Sequence, residues 1–132
     1  MKEWRWLRRE LIYAIHDRQL SEHGGPVGVR DEGAVESALG RPQNLHAYEN
    51  ADAAALAAAY AFGIARNHGF VDGNKRTAWV AARLFLADNG YRLIFDPIDA
   101  VRTVEALAAG SLSENDMAKW FRERLGSPDP SR

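Results

Sequence analysis

The chain has 132 residues, with 17 basic and 18 acidic side chains, no cysteine and 22 alanines. This length suits one domain with its own core, and the absence of cysteine excludes a disulfide framework, a thiolate metal site and a cysteine nucleophile. A net charge of −1 argues against a protein whose main task is to bind nucleic acid. The high alanine content favours an all-α domain.

The sequence shows no membrane or targeting segment. The first nine residues are rich in charge where a signal peptide needs an apolar stretch. The longest uncharged run, residues 53–65, is shorter than the roughly 20 residues of a spanning helix. We therefore expect a soluble, cytoplasmic protein that makes no contact with a membrane.

The first half of the chain predicts three helices. Apolar residues at helical spacing predict the first over residues 4–17, before a glycine-rich loop at residues 21–28. Asp31 is a candidate N-cap for a short second helix that ends at Gly40-Arg41-Pro42. Asp52 caps a third, alanine-rich helix that reaches about residue 67, and this pattern is typical of the buried central helix of a bundle. Its inward face is predicted to carry Leu56, Tyr60 and Ile64.

The second half predicts three more helices, which gives a compact bundle of about six. They begin near Asn74, at Asp96-Pro97 and at Ser113, and residues 91–95 could form a short extended piece. We expect the domain to cover residues 1–125 and residues 126–132 to be a disordered tail. In the fourth helix Val80, Leu84 and Ala87 share one apolar stripe, which Trp79 and Leu86 flank. The residues of the fifth helix predicted to face inward are Ile98, Val101, Val104 and Ala108, and the apolar stripe of the sixth is Met117, Trp120, Phe121 and Leu125.

One segment, residues 68–76, has the residue types of a catalytic site. It lies between two predicted helices, and its second half opens a helix whose first backbone amides attract anions. Gly73 permits the close backbone geometry that wraps a phosphate. Lys75 and Arg76 place two cations where the helix dipole disfavours them, which indicates that a bound anion supplies the opposite charge.

Two further side chains complete this candidate site. Asp72 could hold Mg²⁺ between phosphates, and His68 can accept a proton near neutral pH. The pattern therefore indicates phosphoryl or nucleotidyl transfer. It is not a Walker loop, because Gly69 and Gly73 enclose only three residues and Asn74 precedes the lysine.

The segment resembles the signature of the Fic/Doc family, H-x-F-x-[D/E]-[G/A]-N-[G/K]-R. Seven specified residues match, and Lys75 makes it similar to the Doc (death-on-curing) branch. The resemblance extends over nearly the whole chain, to about residue 125. It includes residues 15–17, 24–25, 28–31, 38–42, 85–86 and 89–91.

The resemblance implies an all-helical toxin of a toxin–antitoxin module, with a role for each residue of the motif. His68 would deprotonate the target hydroxyl, and Asp72 would hold Mg²⁺. Phe70 would pack inward and anchor the loop. The phosphates of ATP would be bound by Asn74, Lys75 and Arg76, with help from the amide of Gly73.

The Doc branch implies transfer of the γ-phosphate of ATP to a Ser/Thr hydroxyl of a translation factor, elongation factor Tu in its prototype. Fic enzymes, which transfer AMP, have glycine in place of Lys75 and a second arginine in place of Trp79. These two departures favour a kinase. An AMP or other nucleotidyl transferase and a catalytically silent antitoxin-binding module remain as alternatives.

The resemblance also implies regulation by a partner. The inhibitory pattern [S/T]-x-x-x-E-[G/N] of many Fic proteins is absent from the sequence, so we expect inhibition in trans by a Phd-like antitoxin, with DNA binding left to that partner. Among the other polar residues, His16 is interpreted as structural because it continues a helix stripe. Whether Arg66 contacts phosphate is left open. His23 and His46 lack the spacing of a zinc site.

Overall fold

The computed structural model describes residues 3–126, and over these residues the protein is an all-α domain of six helices, as the sequence predicts. None of the helices in that part of the chain is both long and apolar enough to cross a membrane. The helices are α1 (Arg9–His23), α2 (Glu32–Glu49), α3 (Ala53–Asn67), α4 (Asn74–Asp88), α5 (Pro97–Ala109) and α6 (Glu114–Arg124).

The central helix is α3, and it packs against α2, α4, α5 and α6. Its predicted N-cap is confirmed, since the carboxylate of Asp52 accepts a hydrogen bond from the amide of Ala55 at 2.9 Å. The predicted inward residues Leu56, Tyr60 and Ile64 are all buried. Alanines occupy most other positions and are also buried, so neighbouring helices approach this one closely on several sides.

The predicted start of the first helix is wrong: α1 begins at Arg9, and residues 4–7 have no regular secondary structure. Trp4 and Trp6 both stack on Phe85, with ring centroids 5.8 and 5.9 Å away. The amide of Leu7 donates to the hydroxyl of Tyr60 at 2.9 Å, and burial raises the pKa of Tyr60 to about 12. These tertiary contacts replace the helical bonds that the apolar spacing predicted.

The predicted end of the second helix is also wrong, because α2 continues through Gly40-Arg41-Pro42 to Glu49. Proline inside a helix removes one backbone hydrogen bond, but the ring of Pro42 is buried here. The long contact of α2 with α3 outweighs that local loss. The helix ends instead at Asn50, whose φ of 51° is left-handed.

The predicted inward face of α5 is mostly wrong, whereas the stripe of α6 is mostly confirmed. In α4 Val80 and Leu84 are half-buried against the core and the flanking Leu86 is buried, but Ala87 is exposed. In α5 Val104 is buried, but Ile98 is 63% exposed and Val101 58% exposed. The buried faces of these two helices combine alanine and threonine with large apolar residues, so the spacing of the large apolar residues alone does not define them. The buried sets are Thr77, Ala78, Ala81, Ala82, Phe85 and Leu86 in α4, Ala100, Thr103, Val104 and Leu107 in α5, and Met117, Ala118, Trp120 and Phe121 in α6.

Exposed ion pairs and a short backbone pairing join the last helix to the rest. Arg122 donates to Asp52 at 2.7 Å, and this contact lowers the pKa of the Asp52 carboxyl. The amide of Gly126 donates to the carbonyl of Arg92 at 2.8 Å, so residue 126 is held against the chain that follows α4. Residues 127–132, the rest of the predicted tail, lie outside the described residues.

Two helical glycines should respond oppositely to substitution. A β-carbon on Gly63 would lie 3.0 Å from the Cα of Ala38, whereas one on Gly40 would meet nothing within 4 Å. Gly63→Val should therefore destabilise the protein by about 1–3 kcal/mol through overpacking at the α2–α3 contact. Gly40→Ala should stabilise it by about 0.5–1 kcal/mol through lower backbone entropy. Urea unfolding measures both, and equal effects of the two substitutions would contradict the described crossing.

Candidate functional site

The candidate site is the loop of residues 68–73, which joins the end of α3 to the start of α4. His68 terminates α3 with a left-handed backbone, φ 51° and ψ 45°. Its side chain is exposed. Gly73 precedes α4, and its φ of 79° is strained for any side chain but free for glycine. The sharp turn from one helix to the next therefore lies between these two residues.

The loop is closed by one side chain. The Oδ1 of Asn74 accepts from the amide of Phe70 at 3.1 Å, and its Nδ2 donates to the carbonyl of the same residue at 3.0 Å. Phe70 is buried, which confirms the prediction that it packs inward. The predicted phosphate ligand Asn74 thus has a second task, since its amide group fixes the loop.

The loop is also held from α1. The Nε2 of His16 lies 2.8 Å from the carbonyl oxygen of Asp72. Its ring stacks on Phe70 with centroids 3.7 Å apart and planes inclined by only 11°. His16 is 2% exposed, so the interpretation of this residue as structural fits its burial but misses its contact with the site.

A second segment, residues 24–31, lies along the outer side of the loop. The carbonyl of Gly69 accepts from the amides of Arg30 and Asp31 at 2.8 and 3.0 Å, and the amide of Val71 donates to the carbonyl of Gly28 at 3.1 Å. A β-carbon on Gly25 would overlap the carboxylate of Asp72. The glycine-rich segment therefore supports the loop through its backbone.

Asp72 presents an exposed carboxylate at the turn. Its Oδ1 accepts from the amide of Gly73 at 2.8 Å, which leaves the rest of its acceptor capacity for a ligand. Within residues 3–126 no group of three His, Asp or Glu side chains could enclose a metal. One carboxylate nevertheless fits Mg²⁺, which commonly uses one or two carboxylates together with substrate phosphates and water.

The start of α4 differs from the other five helix starts in the described chain. It alone has neither a side-chain cap nor an acidic residue in its first turn. The side chains of Lys75 and Arg76 in that turn are exposed. Their positive charge adds to the positive end of the helix dipole, an arrangement that favours a bound anion.

Two residues near the motif, Arg66 and Trp79, pack against aromatic side chains outside the loop. The guanidinium of Arg66 stacks over Phe62 at 5.3 Å and lies beside Gly110 at the end of α5. The ring of Trp79 packs against Phe95, Trp120 and Phe121, at centroid distances of 5.1, 5.9 and 6.3 Å. Position 79 therefore belongs to an aromatic cluster between α4 and α6.

Sequence reasoning missed the contact between His16 and the loop because 56 positions separate His16 from Asp72. A histidine on the buried face of an amphipathic helix needs a polar partner. This need is the sequence signal that predicts a hydrogen bond from His16 to another part of the chain. Nothing in the local pattern identifies the partner.

These features define a helical domain in which two exposed cations at a helix start lie next in sequence to a loop with an exposed histidine and an exposed carboxylate. The sequence model of the Fic/DOC family matches residues 6–86, and the chain belongs to that family. It is 39% identical over 126 residues to the protein kinase doc of Escherichia phage P1, covering 95% of this chain and 99% of the relative. It is 47% identical over 79 residues to the toxin Doc of Mycolicibacterium smegmatis, covering 55% and 58% respectively. The resemblance to the Doc branch is thereby confirmed.

Proposed function

We propose that the protein is the toxin of a toxin–antitoxin module and an ATP-dependent protein kinase. Its target would be a Ser/Thr hydroxyl of a translation factor, elongation factor Tu by resemblance, and its effect would be to halt translation. The names of two relatives, the protein kinase doc and the toxin Doc, support this function. The observation that carries it is the uncapped, acid-free start of α4 with Lys75 and Arg76 in its first turn.

In this proposal His68 and the residues at the start of α4 have separate chemical tasks. The target oxygen forms a bond to the γ-phosphorus while the bond from that phosphorus to the β-phosphate oxygen breaks, so ADP leaves. His68 accepts the hydroxyl proton. Lys75 and Arg76 bind the phosphates together with Asn74 and the backbone amide of Gly73.

Mg²⁺ held by Asp72 would neutralise phosphate charge when bound. The carboxylate suits this role because it is exposed and is directed by the amide of Gly73. We therefore assign ATP and Mg²⁺ as the cofactors.

Transfer of the γ-phosphate is preferred to transfer of AMP for a reason that involves position 79. Fic enzymes have an arginine there, but here the position holds a tryptophan packed among the rings of Phe95, Trp120 and Phe121. This position therefore adds no cation to the phosphates. Lys75 adds one where Fic enzymes have glycine.

We further propose that a Phd-like antitoxin inhibits the protein in trans and that the pair acts in the cytoplasm. The sequence lacks the inhibitory pattern of many Fic proteins, so inhibition would come from a separate chain. Binding of operator DNA would belong to that partner.

Radiolabelled ATP separates the candidate functions. With purified elongation factor Tu or a bacterial lysate, label in the γ-position should appear on a protein target, while label in the α-position should not. The control is the same reaction with His68→Asn protein. Transfer of the α-label alone would identify an AMP transferase. Tight antitoxin binding without transfer of either label would identify a silent module.

A further inference from the structure

We propose that His16 is a positioning residue, which sets the orientation of the peptide group between Asp72 and Gly73 and thereby the direction of the Asp72 carboxylate. The inference rests on the proposed function in one respect only, namely that Asp72 holds the metal ion. The contacts themselves connect α1 to the turn before α4.

The first step is the identity of the hydrogen bond. A backbone carbonyl can only accept, so the Nε2 of His16, 2.8 Å from the carbonyl oxygen of Asp72, must carry the hydrogen and donate it. The ring is 2% exposed, and water therefore competes little for this bond.

The second step is the rigidity of the donor. The imidazole stacks on Phe70 at 3.7 Å between centroids, and Phe70 is held through its own backbone by both polar atoms of Asn74. Tyr13, also on α1, meets Phe70 edge-on at 5.7 Å. The ring that donates to the turn is therefore fixed by packing.

The third step is the planarity of the peptide group. The carbonyl of Asp72 and the amide of Gly73 belong to one rigid plane and point in opposite directions. His16 holds the carbonyl, and the opposite edge of the same plane donates to Oδ1 of Asp72 at 2.8 Å. One rigid unit thus connects the buried imidazole with the carboxylate assigned to Mg²⁺.

Two substitutions of His16 distinguish the effect of the hydrogen-bond donor from the effect of the aromatic ring. His16→Phe keeps a flat ring against Phe70 but removes the hydrogen-bond donor, whereas His16→Gln keeps a donor but removes the ring. Thr103→Val is a control for the loss of a buried polar group elsewhere, because that hydroxyl is bonded within α5, to the carbonyl of Asp99.

The first measurement is hydrogen exchange of the Gly73 amide in protein free of nucleotide and metal. His16→Phe should speed this exchange about tenfold, His16→Gln should stay close to the original rate, and Thr103→Val should have no effect at this amide. The second measurement is the Mg²⁺ concentration for half-saturation in the presence of ADP. It should rise about tenfold or more in His16→Phe, with most of the affinity restored in His16→Gln.

The proposal is overturned if His16→Phe leaves both the exchange of Gly73 and the Mg²⁺ requirement unchanged. It is also overturned if His16→Phe, His16→Gln and Thr103→Val change both readouts in proportion to their melting temperatures, since that result describes general stability. If the original protein transfers no phosphate but the Gly73 amide responds as expected, the proposed function fails and the orienting role of His16 stands.

Discussion

His68→Asn should abolish growth arrest and slow phosphate transfer by about 10²–10⁴-fold, the usual contribution of a general base. His68 has a left-handed backbone, with φ 51°. Asparagine adopts that conformation more readily than alanine does, so this substitution removes the imidazole with little strain at the end of α3. The side chain is exposed, and the fold should be preserved.

Asn50 offers a matched control for backbone strain. It ends α2 with the same left-handed φ of 51° but lies outside the loop of residues 68–73. Asn50→Ala should lower the melting temperature and retain the transfer of the γ-label. His68→Asn should keep the melting temperature and lose the transfer of the γ-label. Full toxicity of a well-folded His68→Asn protein would refute the role of His68 as the base.

Asp72→Asn should reduce kcat/KM about 10³-fold, because the loss of metal-assisted charge stabilisation costs several kcal/mol. An asparagine retains an Oδ1 that can accept from the amide of Gly73, as the aspartate does at 2.8 Å. The turn should therefore keep its shape while the negative charge is lost. Steady-state rates measured over a range of Mg²⁺ concentrations test this expectation.

The same substitution at Asp31 provides the comparison. Asp31 caps α2 through a hydrogen bond from the amide of Ala34 at 3.1 Å, and asparagine caps helices equally well. Asp31→Asn should therefore leave the rate and its dependence on Mg²⁺ unchanged. An Asp72→Asn protein with the original rate at low Mg²⁺ concentration would show that this carboxylate does not hold the metal.

Local sequence signals predicted the helix starts that depend on a single capping residue. Asp52, Asp96 and Ser113 each accept a hydrogen bond from the amide three residues later, as their sequence positions indicated. The segment of residues 68–76 was also found from a local pattern. Its residues are contiguous, and two cations are unusual in the first turn of a helix. The outward placement of Lys75 and Arg76 follows from the same pattern.

Features that depend on contacts between distant residues were not predicted. The extension of α2 past Pro42 depends on its packing against α3, and the non-helical residues 4–7 are held by Phe85 and Tyr60. Periodicity alone also failed for Ile98 and Val101, which are exposed, since the buried face of α5 is formed by Ala100, Thr103, Val104 and Leu107. The contact of His16 with Asp72 belongs to the same class.

The start of the described chain is attached at the carboxyl end of α4, and its end is attached to the segment that follows α4. Arg5 exchanges backbone hydrogen bonds with the side chain of Asn89 at 2.8 and 3.1 Å, and Leu125 forms an antiparallel bridge with Leu93. A helix of this length spans about 22 Å, so the attachment of Arg5 to Asn89 lies at the opposite end of α4 from the loop of residues 68–73. A tether placed beside Arg5 for surface immobilisation or fluorescence should leave the loop accessible to a protein as large as a translation factor.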